Sequence, residues 1–330
     1  MPLWFVLVLA YLFEFANGWT DAPNSIATVI STRVLRPLHA VGMAAVLNLV
    51  GALLGTAVAK TIAKGIVDPQ FVTLETVGAA VLAGTIWAMG AQYFGLPSSE
   101  SHALVAGLLG AGFGAGALRA LEWEGTRKAL IGLVTSPVGG FFVALGIMVA
   151  IFWGFARVRA SLVRRFFGSA QMLSAGFMAL SHGTNDAQKT MGVIALAVFL
   201  HQNPGTSAPE EFSIDLWIIV SAAVVMGLGT LVGGWRVIRT IGLRLTKLEP
   251  VNGFAAETGA AVVIFGAARF GIPVSTTHAI GSAIMGVGAT QRLSAVRWGI
   301  AGQIVSAWIL TWPACALLGF LLARLFGRVF

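Results

Sequence analysis

Ten mostly apolar stretches follow one another along the chain, at about 3–32, 38–59, 76–95, 98–118, 128–153, 169–200, 214–234, 251–268, 274–290 and 297–320. A helix needs about 17–25 apolar residues to cross the hydrocarbon layer of a bilayer. Inside that layer only helices and closed barrels satisfy their own backbone, so the pattern predicts membrane-spanning helices. The first and sixth stretches are unusually long and carry a polar cluster at mid-length, which predicts interrupted helices. No basic stretch precedes residues 3–17, and they run straight into the first polar cluster. They are therefore expected to belong to the first span rather than to a cleaved leader.

Composition strengthens this picture. Of 330 residues, 57% are hydrophobic and 10% charged, whereas a soluble domain carries about 25% charged residues. Soluble enzymes, disordered tails and secreted disulfide scaffolds are excluded on that ground. The single cysteine, Cys315, allows no intrachain disulfide and no multi-thiolate metal site. The net charge of +8 is dispersed between apolar blocks, so no nucleic-acid partner is expected. Lys and Arg placement orients the spans. Arg33, Arg36, the four arginines of 154–168, the basic run of 235–250, Arg292 and Arg297 are expected to face the cytoplasm. The loop at 201–213, which has Glu210 and Glu211 but no Lys or Arg, is expected to lie outside. Both termini then fall outside, in the periplasm if the membrane is an inner membrane.

Two passages of the first half recur in the second. NGWTDAPNS (17–25) matches HGTNDAQKT (182–190) at Gly18, Asp21 and Ala22, an offset of 165. GLPSSESHALVAGLLGAG (95–112) matches GIPVSTTHAIGSAIMGVG (271–288), an offset of 176, with Gly95, Pro97, Ser99, His102, Ala103, Gly110 and Gly112 identical to their partners. The chain reads as a duplication, 1–165 and 166–330. Each half has an expected broken segment (3–32; 169–200), a plain span, an apolar hairpin (about 76–118; about 251–290) and a plain span. An odd number of crossings per half turns the second copy upside down. The expected fold is all-α and polytopic, with two inverted-topology repeats, broken helices and helical hairpins, a pattern of secondary transporters.

At the Asp passages the chain resembles the inorganic phosphate transporter (PiT) family, one of whose signatures is Gly-Ala-Asn-Asp-x-x-Asn-Ala. SHGTNDAQKTMG (181–192), NGWTDAPNSIATVISTRVL (17–35) and Pro-x-Ser-Thr-Thr-His at 273–278 look like its bacterial branch. Three departures stand out: Thr20 for Asn, Lys189 for the second Asn, and Glu100 among hydroxyls. The resemblance implies that the Asp/Asn positions (Asp21, Asn24, Asn185, Asp186) bind the coupling cation and border the substrate, inorganic phosphate.

The residues themselves support the same places. A buried charge in a membrane is costly and usually marks an ion or substrate path, and Asp21 and Asp186 sit at equivalent points of the two halves. A bland reading makes each Asp only a cap of a broken helix. Ser99, Ser101, Ser275, Thr276 and Thr277 follow Pro97 and Pro273 and open Gly-rich helices, whose N-termini suit a phosphate-like anion. Their bland role is helix capping. Lys189 is expected to pair with Asp186 or the anion and to replace one bound cation, or to serve as a structural counter-ion. His102 and His278 are read as proton-relay candidates or hydrogen-bonded helix residues. His182 shares a helical face with Asp186, but with no third ligand evident no metal site is expected. Arg269 could hold an anion, and Glu100 could be a coupling carboxyl.

The expected function is secondary active transport of inorganic phosphate across the inner membrane, coupled to protons or sodium, with a metal–phosphate complex as an alternative cargo. No other cofactor is expected, and a homo-oligomer is left open. A sulfate permease of the same family is the runner-up. A passive channel and an intramembrane hydrolase using Ser275 and His278 are weaker, and no phosphate-binding GxxxxGK[ST] loop is present to support ATP-driven pumping.

Overall fold

A computed structural model of the chain describes residues 1–64, 72–116, 123–204 and 213–330. Glu210 and Glu211, on which part of the charge argument falls, lie outside the described residues. Twelve α-helices account for nearly all of them, and no strand occurs among the described residues. The first half contains α1 (Leu3–Ser31), α2 (Pro37–Ala52), α3 (Ala57–Lys64), α4 (Leu74–Phe94), α5 (Glu100–Gly114) and α6 (Trp123–Phe155). The second contains α7 (Ala160–Gln202), α8 (Leu216–Val232), α9 (Trp235–Arg239, extended by a π-helical turn to Arg244), α10 (Pro250–Arg269), α11 (Thr276–Gln291) and α12 (Trp298–Val329).

Five of these helices (α1, α4, most of α6, α10 and α12) are long and apolar enough to cross a membrane. The bent pairs α2–α3 and α8–α9 qualify as two more if each is one span. The polar run from Ser181 to Thr190 keeps α7, the longest helix, out of that set. By contrast α5 and α11 have 15 and 16 residues, about 22–24 Å of helix, too short to cross alone. The stretches 98–118 and 274–290 are thus the inner arms of hairpins, and they are almost wholly buried in protein, as backbone ends at membrane depth must be.

The interruptions fall elsewhere than the sequence suggests. The stretches 3–32 and 169–200 are continuous helices, and α1 runs unbroken through Pro23. Glu14, Asn24, Thr28 and Asp186 find partners on neighbouring elements, so these polar runs are held without the backbone unwinding. The breaks lie instead in 38–59 and 214–234, bent by 67° between α2 and α3 and by 60° between α8 and α9. At the first bend, Gln188 Oε1 accepts from Val58 N (2.8 Å) and Ala59 N (3.3 Å), satisfying donors that open α3. At the second, Gly233 takes φ 69°, and the chain turns against Pro23 and Trp19.

Contacts set the direction of each element. Thr190 of α7 bonds Glu14 in the first half of α1, whereas Gln171 of α7 bonds Thr32 just past its end (2.8 Å). The repeat-equivalent helices α1 and α7 therefore run antiparallel. The outer arm α4 begins where Met1 meets Glu75 and ends at the level of Trp19. The outer arm α10 approaches from the opposite end, where Glu257 meets Thr28 (2.5 Å). Hence the two hairpins enter from opposite ends of α1 and their tips meet beside its middle. Phe5 packs against Phe326 and Phe330, which puts both termini at one end.

Packing interleaves the halves: α1 with α8, α7 with α2, α5 with α12 and α11 with α6. Small residues let the backbones touch. A Cβ on Gly18 would lie 2.3 Å from the Met226 carbonyl oxygen, and one on its partner Gly183 would lie 2.1 Å from that of Asn48. Neither position tolerates a side chain without moving a helix.

Candidate functional site

At the point where the hairpin tips reach α1 and α7, the four elements build one buried polar cluster. Asp21 and Asp186 are 3% and 0% exposed, and Lys189 is 1% exposed. Helical spacing puts the partners on one face: Asp21 and Asn24 are three residues apart, as are Asp186 and Lys189. Each hairpin contributes a helix N-terminus. Ser99 caps α5 by accepting from His102 N (3.3 Å), and Ser275 caps α11 by accepting from His278 N (3.1 Å). The amides of the turns that follow are left without partners in their own helix, and each N-terminus carries about half a positive charge.

The hydroxyls face the carboxylates. Thr277 Oγ1 donates to Asp21 Oδ1 (3.0 Å), and Thr276 Oγ1 lies 2.9 Å from Asp186 Oδ2 and 3.4 Å from Asp21 Oδ2. Asn24 Nδ2 donates to Thr276 Oγ1 (3.2 Å) and Thr277 Oγ1 (2.9 Å). Lys189 Nζ donates to Asp186 and to Ser101, whose hydroxyl passes a bond to the Val274 carbonyl (2.8 Å). Thr20 Oγ1 donates to Glu100 Oε1 (2.7 Å), which sets the Glu100 carboxyl beside Asp21. Asp21, Asn24, Ser101, Asp186, Lys189, Thr276 and Thr277 are thus brought together, with Glu100 beside them. Ser99 and Ser275 are present as caps. Asn185 stands aside, its Nδ2 3.4 Å from the Ile272 carbonyl and its Oδ1 without a protein partner.

His182 is the residue the sequence reading set aside. It lies against Asp186, with Nε2 3.1 Å from Oδ2, and its Nδ1 meets Asn48 Oδ1 at 3.1 Å. Asp21 supplies the third ligand that spacing along one helix could not reveal: ligand atoms of Asp21, His182 and Asp186 all lie within 4.8 Å of one another. Two carboxylates and an imidazole whose other nitrogen meets the Asn48 amide are a donor set suited to a divalent ion. The i, i+4 spacing to Asp186 was the one local signal.

Other expectations change. The rings of His102 and His278 meet at 4.6 Å, and His278 stacks on Trp308 at 3.9 Å. None of their four ring nitrogens has a protein hydrogen-bond partner, so neither proton relay nor a Ser275–His278 nucleophile–base contact is built. Trp312 packs on His102 at 5.7 Å. Arg269 is exposed, over the ring of Phe265 at 4.9 Å, and does not reach the cluster. It lines a cavity of 180 Å³ with Gly55, Thr184 and Gln188. A counterpart of 420 Å³, lined by Trp19, Gln92, Gly233 and Arg236, lies at the other bend.

This combination of apolar helices, bent spans and two hairpin tips closing on buried charge defines a polytopic membrane transport protein. The phosphate transporter family matches residues 17–166 and 155–319, and the chain belongs to that family. It is 46% identical over 314 residues to a protein of Rhizobium meliloti (strain 1021) named "Probable low-affinity inorganic phosphate transporter", covering 95% of this chain and 93% of that one. A protein of the same name from Bacillus subtilis (strain 168) is 40% identical, covering 98% and 97%. A solved structure titled "The sodium-dependent phosphate transporter" shares the fold, with TM-score 0.88, 23% identity and 99% of each chain covered. These relatives carry the names of transporters, not of enzymes.

Proposed function

We propose that the protein is a secondary active transporter that carries inorganic phosphate across the inner membrane, with both termini on the periplasmic side. The observation that carries this reading is the meeting of two opposed helix N-termini on a buried carboxylate pair, Asp21 and Asp186, reached from opposite ends of α1. Helix N-termini and hydroxyls suit a tetrahedral oxyanion. In the present arrangement Thr276 and Thr277 bond the carboxylates, and Ser101 bonds Lys189. When phosphate binds, those hydroxyls turn from carboxylate to anion, and the carboxylates then need a cation or a proton. That exchange links cargo to coupling ion. A site loaded with both is less charged, which lowers the barrier to rearranging the two inverted repeats about it.

Lys189 occupies the place of an amide in the family signature and pairs with Asp186. Its fixed charge stands in for one bound cation, so the transporter draws on protons, or takes phosphate as a complex with a divalent metal held by Asp21, His182 and Asp186, rather than depending fully on sodium. A protonated phosphate oxygen facing a carboxylate favours phosphate over sulfate, which has no proton to donate at neutral pH. Proteoliposomes test the reading: labelled phosphate and sulfate are offered under separate sodium and proton gradients, with and without divalent metal. Gradient-driven accumulation of phosphate but not of sulfate is expected. Uptake without saturation or counterflow would mark a channel instead.

A further inference from the structure

We propose that Glu14, Asn17 and Thr190 form a second site for a small hard cation, sodium or a proton, separate from the central cluster and on the side of the membrane where the termini lie. The inference rests on the transport reading above and adds a loading station to it.

Glu14 is fully buried in α1. Its Oε2 accepts from Thr190 Oγ1 and from Asn17 Nδ2 (3.4 Å), while its Oε1 and the Oδ1 of Asn17 have no protein partner. Two acceptor oxygens without donors, one helical turn apart at membrane depth, are costly to keep. A proton on Oε1, or a sodium ion shared by the oxygens, removes that cost, since all the ligand atoms are hard oxygens. A buried glutamate at the opposite end of α1 shows the contrast. Glu257 receives Thr28 Oγ1 and Gln171 Nε2 (3.0 Å) on Oε1 and Ser174 on Oε2, so both of its oxygens are satisfied by protein donors.

Location gives the site its use. Glu14 precedes Asp21 by seven residues, two turns on the same face of α1, or about 10 Å. Thr190 follows Lys189 directly, so occupancy at Glu14 is coupled to the cation that holds Asp186. The charged groups that face Glu14 are Asp186 and Lys189, both on α7. From α4 it is the side of Gly84 that meets neighbouring Phe13, and from α8 Ser221 bonds Tyr11 (2.7 Å), all neutral. Glu75 on α4 is engaged by the Met1 amino group. Position 179, equivalent to 14 by the repeat offset, is alanine. The repeat therefore supplies this glutamate on α1 and not on α7, so the site has no counterpart at the other end of the pair.

Infrared difference spectroscopy and radiosodium binding on the full-length protein in lipid nanodiscs test this without any transport. A carboxylic-acid C=O band that titrates with pH and is missing in Glu14→Gln assigns a proton to the site. Radiosodium binding lowered in Glu14→Gln assigns sodium. In uptake, Glu14→Gln should raise the half-activating cation concentration about 30-fold and Thr190→Val about tenfold, with Thr190→Ser restoring it. If Glu14→Gln does not fold, Thr190→Val and Asn17→Ala carry the same comparisons. Equal bands, equal sodium binding and equal activation curves in variant and wild type would overturn the proposal. If the wild type moves no phosphate, the transport reading fails, while the band and the binding measurement still decide the site.

Discussion

At the first motif, Asn24 spans the hydroxyls of Thr276 and Thr277 on the second hairpin. At the second motif, Lys189 reaches Ser101 on the first hairpin. Lys189 is the repeat partner of Asn24, and Ser101 that of Thr277. Likewise Asp186 meets Thr276 where Asp21 meets Glu100, the residue equivalent to Thr276. The scaffold is the same twice, and the chemistry is not. The second motif gains an ammonium and the first hairpin gains a carboxyl, one charge of each sign. With all groups ionised, three carboxylates and one ammonium leave the same net charge as two carboxylates alone. The two departures therefore compensate one another inside a space where an unmatched charge would be costly.

Breaking the shared part of this comparison should have the largest effect. Single Asp21→Asn and Asp186→Asn variants are expected to lose accumulation of labelled phosphate against a gradient by about 30-fold or more, since each removes one partner of a buried hydrogen-bonded charge. Accumulation at wild-type level in both would end the proposal for this cluster.

The part that differs can be made symmetric. Lys189→Asn leaves the second motif like the first, and uptake without sodium should fall about tenfold, recovering as sodium is added. Unchanged sodium and pH dependence would show that Lys189 is only a counter-ion. Adding Glu100→Thr to Lys189→Asn removes the compensating charge as well. The double variant should be more active than the sum of single losses predicts, with a coupling of about 1 kcal/mol or more in a double-mutant cycle. Strict additivity would separate the two departures.

Smaller effects probe the scaffold. Gly18→Ala and Gly183→Ala should each lower stability by about 1–3 kcal/mol, alike in the two halves, as read from thermal unfolding in detergent. Ser99→Ala and Ser275→Ala should each cost about 1 kcal/mol as lost caps. A large loss of phosphate affinity in one of them, seen in counterflow, would make that serine a ligand as well as a cap.

How much of this was legible beforehand varies with the range of the interaction. The duplication, the hairpin turns at Pro97 and Pro273, and the paired aspartates are local patterns, and each copy can be read against the other. Lys189 and Glu100 stood out for the same reason, as letters that spoil the match. The location of the breaks could not be read, because the polar runs of α1 and α7 look like interruptions until their partners are known. Asn24, Glu14 and Thr28 find those partners between 176 and 253 residues away, and the helices stay whole. The bends came instead where α2 and α8 pass the opposite motif, steered by Gln188 and by Pro23.

The amino-acid sequence thus determined, by itself, that the chain is a membrane protein, that two passages of its first half recur in its second, and that Asp21, Asp186 and Lys189 stand inside apolar stretches, since hydropathy, recurrence and the scarcity of charge are properties of the chain. Only the tertiary structure decided which charges meet. It made His182 a neighbour of both Asp21 and Asp186, matched Lys189 to Ser101 and left Glu14 Oε1 and Asn17 Oδ1 without donors. Those pairings depend on antiparallel helices and crossed hairpins that bring distant residues within bonding distance, and no spacing along the chain encodes them.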